Sequence, residues 1–314
     1  MKIVFLDSAT LGESVDYSAI EQFGELKLYP HTSIEEVNER VSKARVVIVN
    51  KVKLYKEQID AAPLLKLICV AATGTNNVDT EYAKSKGVEV KNVVAYSTES
   101  VVQITFGSIL ALLNHTQYFD NIVKTGEYSK SPHFTDTGRS FSEIAYKKFG
   151  IIGMGTIGKR VAEVASAFGA KIMYYSTSGV PHFKKYPAVT LEELLSTSDI
   201  ISIHSPLNDK TKNLISMKEI RLMKPDAIIV NMGRGGIVNE QDLAKAIDFD
   251  LIAGASTDVY EQEPIPADHP FLCVKNREKL ILTPHIGWSG ETAKKRLLEG
   301  IAANIEKFSG VSLF

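Results

Sequence analysis

Short runs of β-branched and other apolar residues alternate with helical patterns along almost the whole chain. Such alternation is typical of parallel sheets joined by crossover helices. In the first third of the chain the predicted strands are Lys2–Leu6, Leu26–Tyr29, Arg45–Val49, Leu67–Ala71 and Val88–Val90. Helical patterns such as Ser33–Ser42 and Thr80–Ser85 separate them, so this part is predicted to form a small α/β unit of its own.

A second and stronger series of strands is predicted from Phe149 onwards. Its members are Phe149–Ile152, Lys171–Tyr175, Ile200–His204, Ala227–Asn231, Leu251–Thr257 and Lys279–Thr283. Six strands with helices between them fit a doubly wound dinucleotide-binding fold. A long apolar helix is predicted before this series, over Ser100–Lys124. A terminal helix over Ser289–Phe308, apolar along one face, could return to cover the first unit.

The stretch from Gly126 to Ser142 is polar and aromatic and has no clear periodicity. It is interpreted as an extended arm that packs on a partner subunit, with an ordinary surface loop as the alternative.

Composition narrows the classes of protein to which the chain can belong. With 314 residues, of which 44% are hydrophobic and 23% charged, two globular domains are expected. Lys plus Arg number 36 and Asp plus Glu number 37, and this formal charge of -1 predicts no nucleic-acid partner and no anionic membrane surface. The first residues fit a strand better than a signal peptide, and no run approaches the roughly 18 apolar residues of a membrane span.

The chain contains two cysteines, Cys69 and Cys273. Both lie in apolar surroundings, so both are predicted to be reduced core thiols in a cytoplasmic protein. No group of cysteines and histidines has the spacing of metal ligands, and no metal is expected.

The motif Gly153-Met154-Gly155-Thr156-Ile157-Gly158 directly follows a predicted strand and opens a predicted helix. Glycines at these positions allow a tight turn, the approach of a pyrophosphate to the backbone, and close packing of helix on strand. The helix N-terminus supplies N–H donors and a partial positive charge to the phosphates. The motif therefore predicts a dinucleotide site, as opposed to a purely structural turn.

The residue at the end of the next strand leaves the choice between NAD and NADP open. An acidic residue is usual there, and Ser176 stands in its place. A serine can hydrogen-bond either cofactor and repels neither. Lys184 and Lys185 follow a few residues later, either to reach a 2′-phosphate or as solvated loop charges.

Three ionisable residues stand just past three consecutive predicted strands. They are Arg234, Glu263 and His285. In open α/β sheets ligands bind at the carboxyl ends of the strands, so all three should line the crevice that holds the cofactor. His204 also ends a predicted strand and is expected to border the cofactor.

The chemistry of the three residues suits the reduction of a 2-oxo acid. The fork of Arg234 can grip a carboxylate and polarise a ketone. His285 can give or take the proton near neutral pH. A carboxylate on its other ring nitrogen would fix its orientation and favour the imidazolium, and Glu263 is the candidate for this role.

Together these motifs resemble the D-isomer-specific 2-hydroxyacid dehydrogenase family over essentially the whole chain. The stretches that carry the resemblance are Gly153–Gly158, His204-Ser205-Pro206-Leu207, Asn231–Gly235, Asp258 to Pro264 and Thr283–Gly287. The resemblance implies that Arg234, Glu263 and His285 form the catalytic set and that the 2-hydroxy acid has D stereochemistry. It also implies two doubly wound parallel-sheet domains flanking a cleft. Residues 1–99 plus 287–314 would form a flavodoxin-like substrate domain, and residues 100–286 a Rossmann cofactor domain.

Within the family the chain is most similar to the glycerate dehydrogenase (hydroxypyruvate reductase) branch. The similarity rests on Ala71–Asp79, Ala95–Val101, Ala267-Asp268-His269-Pro270 and His285-Ile286-Gly287-Trp288. The branch commonly carries a histidine where Ile104 stands in this chain. Family members are usually homodimers built through the cofactor domain, which suits an arm at Gly126–Ser142.

The resemblance also implies which residues contact each ligand. The substrate contacts would be Ala72, Thr73, Gly74, Arg234, His285 and Trp288, with the backbone N–H groups of residues 72–74 cradling the carboxylate. The cofactor contacts would be Thr105, Gly153, Gly155, Thr156, Ile157, Gly158, Ser176, His204, Pro206, Thr211, Met232, Gly233, Arg234, Asp258, His285 and Gly287.

Three functions stay open at this point. The first is a hydroxypyruvate/glyoxylate reductase using NAD or NADP. The second is a dehydrogenase of larger 2-oxo acids or of phosphoglycerate, although the loop Ala71–Asn77 lacks the cations that a phosphorylated substrate would want. The third is a corepressor that senses the cofactor without catalysis. This function would not explain why the whole catalytic set is present.

Overall fold

The computed structural model describes residues 1–13 and 15–310. Its strands are β1 (Lys2–Phe5), β2 (Glu25–Leu28), β3 (Val46–Val49), β4 (Leu67–Val70), β5 (Glu89–Asn92), β6 (Lys148–Ile152), β7 (Lys171–Tyr175), β8 (Ile200–Ile203), β9 (Ile228–Asn231), β10 (Gly254–Thr257) and β11 (Leu280–Leu282).

The α-helices are α1 (Ser18–Glu21), α2 (Ile34–Val41), α3 (Lys56–Asp60), α4 (Thr80–Ser85), α5 (Thr98–Leu113), α6 (Thr116–Lys124), α7 (Thr156–Ala167), α8 (Leu191–Thr197), α9 (Met217–Ile220), α10 (Glu240–Asp248) and α11 (Glu291–Ser309). Short 3-10 turns lie at Ser8–Leu11, Tyr128–Lys130, Pro270–Cys273 and Arg277–Lys279. None of the helices in the described part of the chain is long and apolar enough to cross a membrane.

The chain divides into two compact units, Met1–Ser97 with Ser289–Phe314, and Thr98–Trp288. Residues 311–314, which the sequence assigns to the substrate domain, lie outside the described residues.

The first unit contains a five-stranded parallel sheet in the order β2-β1-β3-β4-β5. This is the flavodoxin-like strand order. The central strands β3 and β4 are buried at every position, which explains their unbroken apolar sequences VVIV and LICV.

The second unit contains a six-stranded parallel sheet in the order β11-β10-β9-β8-β6-β7. One parallel bridge, Tyr174 with Ala188, extends it beyond β7. This bridge stands where a dinucleotide-binding fold has its third strand, so the sheet follows the order 3-2-1-4-5-6 with the third strand reduced to a single pair. Strand β11 adds a seventh position beyond β10. Two parallel α/β sheets were predicted, and this part of the prediction is confirmed.

Two local predictions were wrong. The helix predicted over Ser100–Lys124 is two helices, α5 and α6, because the chain turns at His115, whose φ is 48°. Cys69 is buried as predicted, and burial raises the pKa of its thiol to about 12. Cys273 is exposed, because the 3-10 turn that carries it directs Phe271 and Val274 inward.

Candidate active site

The glycine motif forms a tight turn between β6 and α7. Gly153 has a φ of +94°, in the left-handed region that favours glycine, and a Cβ there would lie 2.9 Å from the amide nitrogen of Ser205. A Cβ on Gly158 would lie 2.1 Å from the carbonyl oxygen of Gly153. By contrast, the Cβ position of Gly155 is open, and Gly155 and Thr156 are exposed. The N–H groups of the first turn of α7 have no partner within the helix. The turn therefore fits the pyrophosphate of a dinucleotide.

A series of close backbone contacts joins the loops that follow β6, β8, β9 and β10. The segment His204–Ser205, after β8, lies against Gly153, and a Cβ on Gly233 would lie 2.8 Å from the carbonyl oxygen of Ser205. A Cβ on Gly235 would lie 1.8 Å from the carbonyl carbon of Tyr260. These contacts bring the glycine turn, the loop of Arg234 and the loop of Glu263 to one edge of the sheet.

Arg234 lies in the loop after β9. Asn231 shapes this loop, because its side-chain oxygen accepts a hydrogen bond from the Gly233 amide (3.1 Å) and its side-chain nitrogen donates to the Arg234 carbonyl (3.0 Å). The guanidinium donates to the carbonyl of Gly233 (2.8 Å). No carboxylate pairs with it within residues 1–13 and 15–310. Arg234 is therefore a half-buried cation that can accept an anionic ligand.

Glu263 and His285 form a hydrogen-bonded pair. The distance between Glu263 Oε2 and His285 Nδ1 is 2.7 Å, and the side chains are 29% and 22% exposed. The second oxygen of Glu263 accepts a hydrogen bond from the Tyr260 amide (3.0 Å). His285 Nε2 makes no hydrogen bond in the described part of the chain. The carboxylate thus orients the ring and leaves Nε2 available to a ligand.

Asp258 holds the loop that carries His285. Its side chain is buried, and its oxygens accept hydrogen bonds from the Thr283 hydroxyl (2.7 Å), the Ile286 amide (2.8 Å) and the Gly287 amide (2.7 Å). His285 itself has a φ of 55°. The sequence predicted Asp258 as a cofactor contact, and the structure shows it fastening both ends of the turn around the histidine.

Four other predicted cofactor contacts are Thr105, Pro206, Thr211 and Met232, of which the last three lie in the loops after β8 and β9. Thr105 is fully buried in α5, where its hydroxyl donates to the Val101 carbonyl (2.7 Å). The Thr211 hydroxyl donates to the carbonyl of Pro206 (2.7 Å) and closes the loop after β8. Met232 is 6% exposed. The hydroxyls of both threonines are thus already used within the protein.

Ser176 lies at the end of β7, as predicted. Its hydroxyl donates to the Val180 carbonyl (2.8 Å) and lies 3.0 Å from the Ser178 hydroxyl, and the residue is 7% exposed. Lys184 and Lys185 are exposed. The segment after β7 therefore folds back on Ser176.

His204 lies beside the glycine turn and carries no carboxylate partner in the described part of the chain. Its Nε2 lies 2.8 Å from the Ser202 hydroxyl, and its Nδ1 is buried without a partner. Burial lowers the pKa of His204 to about 3, so the ring is neutral in the folded protein.

The loop predicted to hold the substrate carboxylate follows β4 in the first unit. The carbonyl of Ala72 accepts a hydrogen bond from the Val93 amide (3.3 Å), and that of Thr73 from the side chain of Asn92 (2.6 Å). The N–H groups of Ala72, Thr73 and Gly74 donate to no acceptor among the described residues. Trp288, the last predicted substrate contact, is half-buried at the end of the second unit.

Comparison with known proteins agrees with this geometry. A family model described as "D-isomer specific 2-hydroxyacid dehydrogenase, NAD binding domain" matches residues 106–287. The chain is 36% identical to a hydroxypyruvate reductase of Blautia hydrogenotrophica, over 98% of this chain and 97% of that one. It is 37% identical to a glycerate dehydrogenase of Methylorubrum extorquens, over 98% and 96% of the two chains.

The fold also matches a solved structure with bound ligands. The D-lactate dehydrogenase of Aquifex aeolicus, complexed with NAD and lactic acid, superposes with a TM-score of 0.85 at 28% identity, covering 98% of this chain and 95% of that one. The glycine turn, the family match over more than half of the chain and the relatives matched over nearly their whole length all indicate the same family. The chain is an NAD(P)-dependent oxidoreductase that belongs to the D-isomer specific 2-hydroxyacid dehydrogenase family.

Proposed function

We propose that this protein reduces hydroxypyruvate or glyoxylate with NAD(P)H, and that the reverse reaction is the oxidation of D-glycerate or glycolate. The observation that carries the proposal is the Glu263–His285 pair, next to a loop that holds Arg234. Among the described residues, His285 Nε2 has no hydrogen-bond partner and Arg234 has no carboxylate partner. These groups can bind a carboxylate, polarise a ketone and supply one proton. The names of the relatives from Blautia and Methylorubrum support the choice of substrate.

Each side chain has one role in this proposal. Arg234 binds the substrate carboxylate and polarises the ketone through its planar fork. His285, as the imidazolium, donates the proton on Nε2 to the ketone oxygen during reduction and takes it back during oxidation. Glu263 stabilises that charged ring and fixes which nitrogen faces the substrate. Bound NAD(P)H supplies the hydride.

In this proposal one unit binds the substrate and the other binds the cofactor. Residues 1–99 plus 287–314 form the substrate domain in this proposal, and residues 100–286 form the cofactor domain. The free N–H groups of Ala72, Thr73 and Gly74 support a second contact to the substrate carboxylate. The glycine turn at Gly153–Gly158 would hold the pyrophosphate, and the loop around Ser176 the adenosine ribose.

The protein is further proposed to be a cytoplasmic homodimer built through the cofactor domain. Side chains on and beside the arm 126–142 support this assembly: Phe134 is 92% exposed, Phe141 62% and Tyr146 82%. Exposed aromatic residues in such number are typical of an interface. Sedimentation equilibrium of the wild-type protein measures the assembly directly.

A substrate panel tests the proposed reaction. Glyoxylate, hydroxypyruvate, pyruvate, a branched 2-oxo acid and 3-phosphohydroxypyruvate are each assayed with NADH and with NADPH. The expected result is that glyoxylate or hydroxypyruvate has the highest kcat/KM with at least one cofactor. A higher kcat/KM for a branched or phosphorylated acid would move the assignment to another substrate, and no turnover of any acid would refute it.

A further inference from the structure

A second carboxylate–histidine pair contacts the loop that carries Glu263. His269 Nε2 and Glu240 Oε2 are 2.7 Å apart, and the side chains are 4% and 13% exposed. The Phe271 amide donates to His269 Nδ1 (3.3 Å). Because an amide N–H can only donate, Nδ1 is an acceptor and the ring proton lies on Nε2, facing the carboxylate. Both ring nitrogens are therefore occupied, and His269 has none to offer to a substrate.

The second oxygen of Glu240 holds the loop of Glu263 through its backbone. Glu240 Oε1 accepts a hydrogen bond from the Glu261 amide (2.7 Å). The opposite side of the same peptide, Tyr260–Glu261, lies against Gly235, where a Cβ would be 2.0 Å from the Tyr260 carbonyl oxygen. This peptide is thus held between Glu240 and the loop that carries Arg234.

Tyr260 connects that peptide to both members of the Glu263–His285 pair. Its amide donates to Glu263 Oε1 (3.0 Å), and its hydroxyl donates to the Thr283 carbonyl (2.9 Å), two residues before His285. Its ring meets the ring of His269 edge-on, with 5.9 Å between the centroids. Burial, followed by the charges of Asp258, Glu263 and Glu240, raises the pKa of Tyr260 to about 12, so the hydroxyl stays a donor.

We propose that Glu240 and His269 are positioning residues, which fix the Tyr260–Glu261 peptide and thereby hold the carboxylate of Glu263 against His285. The proposal rests on the proposed function for its kinetic consequence, but the geometry that it describes does not depend on turnover. Glu240 contributes a carboxylate with both oxygens occupied, and His269 keeps that carboxylate in place. Neither residue contacts the reacting atoms.

Three variants separate position from charge. Glu240→Gln is isosteric, but its amide cannot accept both the Glu261 N–H and the His269 N–H. His269→Leu removes the partner and leaves the charge of Glu240, so a change in this variant comes from position. His269→Gln retains a donor near the place of Nε2 and is the conservative rescue. Glu192→Gln and His31→Gln, both at exposed positions outside the arm 126–142, are the matched controls.

The first readout is the hydrogen bond from the His285 ring to Glu263, followed by the NMR signal of the Nδ1 proton in histidine-labelled protein without substrate or cofactor. Glu263→Gln defines the effect of losing the neighbouring carboxylate, which is a smaller downfield shift of this signal. Glu240→Gln and His269→Leu are expected to move the signal in the same direction, and His269→Gln to move it less. If His269→Leu does not fold, Glu240→Gln and His269→Gln decide the question.

The second readout is kinetic, with hydroxypyruvate and NADH. Glu240→Gln and His269→Leu should lower kcat on the order of tenfold, because a misplacement of about 1 Å at a reacting group costs up to about 10²-fold. The dissociation constant of NADH should stay within about twofold, since the glycine turn is untouched.

The two readouts distinguish the possible failures. A His285 Nδ1 proton signal that is unchanged in Glu240→Gln and His269→Leu would overturn the positioning role, whatever happens to the melting temperature. A shifted signal in a protein that turns over no 2-oxo acid would support the positioning role and refute the proposed function instead.

Discussion

Two carboxylate–histidine pairs in the second unit have the same 2.7 Å separation and different surroundings. In the Glu263–His285 pair the histidine is 22% exposed and has one free ring nitrogen. In the Glu240–His269 pair the histidine is 4% exposed and both ring nitrogens have partners. A short Glu–His contact therefore does not by itself identify an acid–base group. The free nitrogen and its access to ligands make that distinction.

His204 extends the comparison to a histidine that has no carboxylate partner. The only hydrogen bond of its ring in the described part of the chain is to Ser202, and burial lowers its pKa to about 3. The His285 ring thus has a partly exposed carboxylate partner, the His269 ring a more buried one, and the His204 ring a neutral hydroxyl partner. Each setting suits a different role: proton transfer, positioning and packing beside the glycine turn.

The largest expected effect is that of removing the ring with the free nitrogen. His285→Ala should lower the reductive kcat/KM by about 10²- to 10⁴-fold, the range for loss of a general acid. NADH binding should survive, because the glycine turn lies in another loop. Steady-state kinetics and a fluorescence titration of NADH measure both quantities, with His133→Ala as the control. Loss of NADH binding would give His285 a structural role.

The variant Arg234→Lys tests whether the arginine side chain acts together with the ring of His285. Arg234→Lys keeps the charge and loses the planar fork, so kcat/KM should fall by roughly 10²-fold while the protein still folds. Arg221→Lys, at an exposed position, is the matched control. Kinetics close to wild type in Arg234→Lys would remove this residue from the site.

The His204 ring, which has no charged partner among the described residues, should affect stability in acid. The unfolded chain takes up a proton below a pKa of about 6.5, whereas the folded ring does so only near 3. The folded state therefore loses stability as the pH falls from 6.5 towards 3, by about 2 kcal/mol at pH 5.

His204→Gln should reduce this loss, because glutamine does not titrate. Urea unfolding at pH 7 and pH 5 gives the difference, with His133→Gln as the control. An equal loss of stability in wild type and His204→Gln would show that His204 is not the group that takes up the proton.

The smallest effect is expected from Glu263→Gln, which keeps the hydrogen bond and removes the charge. Without the carboxylate, the imidazolium that donates the proton is less stabilised, so the reductive kcat should fall by about tenfold. Steady-state kinetics measure this change. A kcat equal to that of wild type would mean that the charge of Glu263 does not act on His285.

The sequence was informative where a pattern repeats or a motif is local. The strands of both sheets were predicted to within a few residues, since the apolar runs of the inner strands are buried on both faces. The placement of Arg234, Glu263 and His285 after successive strands followed from the same pattern. The turn at His115 was missed, because apolar residues continue through it and a left-handed residue leaves no periodic signal.

Contacts made across loops could not be predicted in this way. Glu240 and His269 are separated by 29 positions, and their pairing depends on how α10 packs beside the turn Pro270–Cys273. The stretch Ala267–Pro270 was noted only as a family resemblance. Asn231 lay in a recognised motif, but its two hydrogen bonds to the loop of Arg234 need coordinates to be seen.

Hydride transfer from NAD(P)H to a small 2-oxo acid is tested most directly on the wild-type protein. It is incubated with NADH or NADPH and with hydroxypyruvate or glyoxylate, and the cofactor oxidised and the hydroxy acid formed are measured, with the enantiomers of glycerate resolved by chiral chromatography. We expect one D-glycerate for each NADH or NADPH consumed with hydroxypyruvate. No consumption of either cofactor with either acid, or glycerate of the L configuration, would contradict this function.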